Sequence, residues 1–166
     1  MLYVYVIVRT VLLNKGENIM RLEGKIGLVT AAGSGMGRAG AIRFAQEGAA
    51  VGVVDVDEDA VASVVSEIEE NGGKAKGIVA DLTKDADSKR IVTETAKYFN
   101  GLDFVWNHVG YPGPASVEGV EMDDFDLTLD LNLRTILITT DAALTELRAR
   151  GGGSLLFTAS TSGLAG

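Results

Sequence analysis

The chain has no cysteine, two prolines and a single histidine, His108, among its 166 residues. Without cysteine, disulfides are excluded, and with one histidine the usual zinc ligands are lacking as well. A long hydrophobic run is also missing. The stretch "LYVYVIV" at residues 2–8 has seven apolar residues before Arg9, well short of the roughly 20 needed to span a bilayer. It makes a poor secretory signal, because no basic segment precedes it and no clear small-residue cleavage site follows. Positive charge is in deficit, with 15 Lys and Arg against 23 Asp and Glu and a net charge of -8. Such a surface repels phosphate backbones, which argues against a nucleic-acid partner.

Glycine is abundant, at 21 residues. Much glycine with little proline points to tight strand-to-helix turns, as in α/β folds. Apolar residues make up 46% and charged residues 23% of the chain, the profile of a soluble globular protein. The length suits one domain. Residues 1–19 differ in character from the rest and read as a non-native or disordered extension ahead of a start at Met20, leaving 20–166 as the domain.

From Lys25 onward, strand and helix patterns alternate. "KIGLVT" is an apolar run that ends in the glycine-rich "AAGSGMG". A helix follows, with Ile42, Ala45 and Ala49 on one face, and then a second buried strand, "AVGVVDV". Residues 58–71 predict a helix carrying Val61, Val64 or Val65, and Ile68 on one side, stopped by Gly72-Gly73. "AKGIVADL" is a third strand. The pattern predicts a third helix over 84–99, with Ile91, Thr95 and Tyr98 in register. "LDFVWNHVG" supplies a fourth strand and its turn, and both prolines fall in the loop "YPGPASVEG". One long helix over 122–149 ends at Gly151-Gly152-Gly153, and "SLLFTAS" is the fifth strand. Strands joined by helices imply a doubly wound, Rossmann-like parallel sheet of about five strands. In such sheets ligands bind beyond the carboxyl ends of the strands.

Two features there favour a dinucleotide. Thr30 to Gly37 forms a turn with a helix opening at Gly35 or Met36, where glycine lets a pyrophosphate approach helix N–H groups. Asp55 ends the second strand, where a carboxylate would accept hydrogen bonds from the adenosine ribose and repel a 2′-phosphate. No Arg or Lys follows Asp55 before Lys74, which favours NAD over NADP. A plain βα turn and an Asp that merely caps the next helix are the ordinary alternatives, and Asp57 could serve equally well as that cap.

Taken in order, these residues resemble a short-chain dehydrogenase/reductase over 21–166. Thr30–Gly37 is similar to the family's Thr-Gly-x-x-x-Gly-x-Gly turn, with Ala31 in place of the first Gly. Asp81-Leu82 match its adenine-contacting pair, and Asn107-His108-Val109-Gly110 resemble its Asn-Asn-Ala-Gly turn. Asn132 and Ser160 match two members of its catalytic tetrad. The resemblance implies strand order 3-2-1-4-5 and NAD-dependent oxidation or reduction of an alcohol or ketone. It also implies a cofactor site at Ala31, Ser34, Gly35, Met36, Gly37, Asp55, Asp81, Leu82, Asn107, Val109 and Gly110. A cytoplasmic homo-oligomer, dimer or tetramer, with the long helix in the dimer interface, is the corresponding expectation.

The departures carry expectations too. Ala31 fits its turn at negative φ and is strained otherwise. His108 reads as a structural substitute, since no nucleophile lies near it in sequence for it to activate. Phe125, Leu129, Asn132 and Ile136 are spaced as one helical stripe facing the sheet, which would bury an amide in need of partners. The family's Tyr-x-x-x-Lys acid/base pair is absent: the tyrosines stand at 3, 5, 98 and 111, and none has Lys four residues on. The chain therefore reads as an N-terminal fragment, inactive alone. The alternative is a non-catalytic nucleotide-binding module. A receiver-like signalling domain fits poorly, since the first strand ends without an acidic pair.

Overall fold

The computed structural model describes residues 20–160. Residues 1–19 and 161–166, and the expectation of an N-terminal extension, lie outside the described residues. Five strands form one parallel sheet in the order β3-β2-β1-β4-β5. They are β1 (Ile26–Thr30), β2 (Ala50–Asp55), β3 (Lys74–Val79), β4 (Phe104–Asn107) and β5 (Ser154–Phe157). Between them run α1 (Gly35–Gln46), α2 (Glu58–Glu70), α3 (Asp85–Phe99), α4 (Met122–Leu129) and α5 (Thr135–Ala149).

The central strands are buried on both faces, and their alternation splits the core in two. Ile26, Leu28, Val54 and Val105 pack with Ile91, Val92, Ala143 and Leu147 of α3 and α5. Val29, Val51, Val53 and Phe104 pack with Ala41, Ala45, Val64 and Ile68 of α1 and α2. The period-two pattern of each strand thus feeds two helical layers. Helix α2 buries Val61, Val64 and Ile68, as its spacing predicts, while Val65 is half-buried. In α1 the buried positions are Gly37, Ala41 and Ala45, with Ile42 on the flank.

Two helical expectations are corrected. Tyr98 does not join Ile91 and Thr95 inside. It is exposed, its ring edge-on to Phe99 and beneath the Lys76 ammonium, and Val92 and Ala96 complete the buried face. The single helix over 122–149 is interrupted by a π turn at Asp130–Arg134. One extra residue in a turn rotates the following side chains by about 100°. Phe125 and Leu129, ahead of the turn, and Asn132, within it, are exposed; beyond it Ile136 is half-buried, and the face against the sheet is Thr135, Thr139, Ala143 and Leu147.

The amino-terminal edge of the sheet is pinned by charge. Asp103, just before β4, accepts from the Ile26 N–H at 3.0 Å and from the Arg150 guanidinium at 3.0 Å, with the Lys25 ammonium at 3.4 Å. Burial alone would raise the Asp103 carboxyl, but Arg150, the Ile26 N–H and Lys25 together hold it below its ordinary value.

Candidate functional site: the carboxyl edge of the sheet

At the opposite edge, β1 runs into the glycine turn. Ser34 stands at the N-cap position of α1 in extended conformation, its side chain bonding none of the first N–H groups, and the helix opens at Gly35, whose φ is +53°. The N–H groups of Gly35, Met36 and Gly37 have no partner in the helix ladder, and no acidic side chain occupies the first turn. Gly37 is buried under the turn. A Cβ there would lie 1.9 Å from the Ala31 carbonyl oxygen, so only glycine fits. Ala31 takes φ +51°, the left-handed region. The turn therefore keeps the geometry of a glycine while carrying a methyl, and it is strained.

Asp55 faces that turn. Its Oδ2 accepts from the Gly33 N–H at 2.9 Å and its Oδ1 from the Val56 N–H at 2.8 Å. It does not cap α2; Asp57 does, accepting from the Ala60 N–H at 3.0 Å. A Cβ on Gly33 would lie 2.9 Å from Ala60 Cβ and from the Asp55 carboxylate. Arg38, the cation of the α1 first turn, is paired with Glu67 of α2.

A groove of about 160 Å³ runs from Ala31, Asp55 and Val56 past Ala80, Asp81, Leu82 and Thr83 to Val109 and Leu131. Asp81 Oδ1 accepts from the Thr83 hydroxyl at 2.6 Å and its N–H at 3.0 Å. The hydroxyl bond leads in holding this carboxyl below its ordinary value; burial opposes it, and the Thr83 N–H and Lys84 assist. Leu82 is buried in the groove wall, and its carbonyl accepts from Thr135 Oγ1 at 2.6 Å.

The turn after β4 is held by Thr30, whose hydroxyl accepts from the His108 N–H at 2.9 Å and the Val109 N–H at 3.0 Å. Asn107 is fully buried, and neither its Oδ1 nor its Nδ2 has a hydrogen-bond partner among the described residues. His108 Nδ1 lies 2.8 Å from Thr158 Oγ1, which also accepts from Trp106 Nε1 at 2.9 Å. Burial pushes the His108 imidazole below its ordinary value. His108 thus ties β4 to the chain beyond β5.

Asn132 is exposed rather than buried, yet it has partners. Its Oδ1 accepts from the Tyr111 N–H at 2.8 Å and its Nδ2 donates to the Tyr111 carbonyl at 2.7 Å. Gly110 lies beneath it, where a Cβ would be 3.0 Å from Asn132 Oδ1. Ser160 follows β5 by three residues and is exposed. The candidate residues fall at or beyond the carboxyl ends of the strands, except Asn132, which sits in the π turn and reaches the turn after β4 through Tyr111. The groove-lining Val56, Ala80, Thr83 and Leu131 were not picked out from the sequence. Thr83 carried a signal, the Asp-x-Thr turn of "DLT"; Leu131 carried none, because the π turn sets its direction.

The residues present suit a dinucleotide. The uncapped N–H groups of α1, the glycine cradle at Gly37 and the unpartnered Asn107 amide are features such a ligand would complete.

The comparisons agree with this geometry. A 30% identical 7α-hydroxysteroid dehydrogenase, solved with NADH and 7-oxo glycochenodeoxycholic acid, superposes with a TM-score of 0.85 over 89% of this chain and 58% of its own. A short chain dehydrogenase from Burkholderia cenocepacia, solved with NADP, is 34% identical and superposes with a TM-score of 0.73 over 76% of this chain and 52% of its own. Cyclohexanol dehydrogenase of an Acinetobacter species is 33% identical over 90% of this chain and 61% of its own length. The chain spans about three fifths of the length of the curated relatives it matches. The family profile described as short chain dehydrogenase matches residues 25–166, and the chain belongs to that family of oxidoreductases.

Proposed function

We propose that residues 20–166 form the NAD-binding part of an oxidoreductase acting on a secondary alcohol or its ketone. The placement of Asp55 carries the reading. Its carboxylate is fixed by the Gly33 N–H, so the acidic residue and the glycine turn form one surface at the mouth of the groove. There it would accept from the ribose hydroxyls and repel a 2′-phosphate. Arg38, bound to Glu67, offers that phosphate no counter-charge. The α1 N–H groups of Gly35 to Gly37 would take the pyrophosphate, beside Ala31 and Ser34. Asp81, Leu82, Val109 and Leu131 would enclose the adenine, and Asn107 and Gly110 would border the nicotinamide side.

When bound, the nicotinamide ring supplies or accepts the hydride. Ser160 would hydrogen-bond the substrate oxygen. The Asn132 amide, with one N–H and one lone pair left beyond Tyr111, can hold a water for proton transfer. The acid/base Tyr-x-x-x-Lys is not among these 166 residues, so we expect the chain to bind nucleotide without ketone-dependent NADH oxidation. The exposed stripe of Met122, Phe125, Leu129, Leu133 and Leu137 suits a second copy of the chain, in a cytoplasmic homo-oligomer. Among the described residues no helix is long and apolar enough to cross a membrane.

Calorimetric titration with NAD and NADP tests the assignment. NAD is expected to bind at least about tenfold more tightly, and Asp55→Ala to weaken NAD about tenfold while bringing the two to parity, the loss of a charge-assisted hydrogen bond. Equal affinities in the unsubstituted chain, or no response to the substitution, would show that Asp55 does not face the ribose.

A further inference from the structure

The π turn at Asp130–Arg134 does two things in adjacent positions. It turns Leu131 into the groove beside Leu82 and Val109, and it turns the Asn132 amide onto the Tyr111 backbone. A π turn is a weak local structure, so a segment that holds this geometry needs anchors from outside its own helix. Two such anchors reach the chain that follows β3. The Arg134 Nε and Nη2 donate to Asp85 Oδ1 and Oδ2, each at 2.7 Å, a planar fork on a carboxylate. One residue on, the Thr135 hydroxyl donates to the Leu82 carbonyl at 2.6 Å, and Ser88 Oγ of α3 donates to the same carbonyl at 3.2 Å.

Asp85 begins α3, where the helix N-terminus favours a negative charge and holds it in place. The Arg134 guanidinium leads in drawing the Asp85 carboxyl below its ordinary value; burial opposes it and Lys89 assists. Both side chains are about half exposed, at 58% and 49%. Exposed pairs of this kind contribute little to global stability, so a bidentate one at the end of a distorted turn acts chiefly on local geometry.

We propose that Arg134 and Asp85 are a positioning pair. The pair holds the π turn against the start of α3, and through that one contact it sets both Leu131 in the nucleotide groove and Asn132 on Tyr111. The first half of this rests on the nucleotide-binding reading; the second does not.

The test uses the full 166-residue chain with Arg134→Gln, Asp85→Asn and the exchanged pair Asp85→Arg with Arg134→Asp. Hydrogen exchange at the Tyr111 amide reads the Asn132 side without ligand, and calorimetry with ADP-ribose reads the groove. Each single variant is expected to speed Tyr111 exchange about tenfold, a local opening without global unfolding, and to weaken ADP-ribose about fivefold, with the thermal midpoint nearly unchanged. The exchanged pair is expected to recover most of both. Unchanged Tyr111 exchange in both single variants would overturn the proposal, and so would an exchanged pair no better than the singles. If the unsubstituted chain binds no ADP-ribose while Tyr111 still responds, the positioning of Asn132 stands and the nucleotide reading falls.

Discussion

The two edges of the sheet are built on opposite terms. At the amino edge, Asp103 gathers a backbone N–H, a guanidinium and an ammonium, and its own N–H and carbonyl bond to Ile26 and Ser154. Nearby, Glu47 takes a bidentate bond from Arg21 and another from Arg43. Polar groups there are paired within the chain. At the carboxyl edge, Ala31 holds a left-handed backbone, the first N–H groups of α1 have no helix partner, and the Asn107 amide is buried without one. Each of those costs free energy in the free chain, and each is a group that a ligand can complete. One edge closes the fold; the other is left to be finished by what binds.

Filling the tightest space at the carboxyl edge should give the largest effect. In Gly37→Ala the new Cβ would overlap the Ala31 carbonyl and press on His108. Stability measured by urea denaturation is expected to fall by about 3 kcal/mol, and nucleotide binding to be lost. If the variant keeps wild-type stability and binds NAD, the turn is not the close-packed cradle described here.

Removing the anchor of the amino edge should cost somewhat less. Asp103→Ala leaves the Ile26 N–H and Arg150 without their acceptor, and a loss of about 2 kcal/mol is expected, discounted because Arg150 and Lys25 are partly in solvent. The sign with pH follows from the depressed Asp103 carboxyl. The unfolded chain takes up its proton first, near the ordinary value of 3.8. The contribution is therefore present above that pH and is lost as pH falls through the folded value. The gap in stability between the wild type and Asp103→Asn should narrow between pH 5 and pH 2. A gap that does not change with acid would mean the carboxylate is not what Arg150 and Ile26 hold.

The smallest effect sharpens the comparison from the other direction. Ala31→Gly relieves a left-handed alanine, and part of that gain is offset by the freer unfolded chain. A net gain of about 0.5 kcal/mol, read as a rise of one or two degrees in Tm, is expected with no loss of NAD affinity. A fall in Tm would place the strain elsewhere.

Much of the framework could be read along the chain. "VGVVDV" is apolar throughout because β2 is covered on both faces, and Val61, Val64 and Ile68 lie on one side of α2 because their spacing matches a regular helix. Asp57 before "EDAV" announced a cap, and the cap is there. The order of glycine turn, Asp55, Asp81, Asn107, Asn132 and Ser160 was enough to locate the candidate site at one edge. Three things could not be read. The π turn interrupts the 3.6-residue period that a single helix over 122–149 would keep, so the face beyond it is Thr135, Thr139, Ala143 and Leu147 rather than a continuation of Phe125 and Leu129. Tyr98 had the right spacing, but its flank position between Phe99 and Lys76 depends on a neighbouring strand. Ala31 gave no sign of which sign of φ it would take, because that is imposed by the close approach of Gly37.

The sequence by itself determined the alternation of strands and helices, the parallel sheet and the family, because these follow from local periodicity and from residues whose order along the chain is their position along the strands. The tertiary structure alone decided how Asn132 is satisfied, which wall Leu131 joins and which polar groups remain without partners. Those outcomes depend on contacts between segments far apart in the chain, such as Arg134 with Asp85 or Asn132 with Tyr111, and no local pattern encodes a distance across the fold.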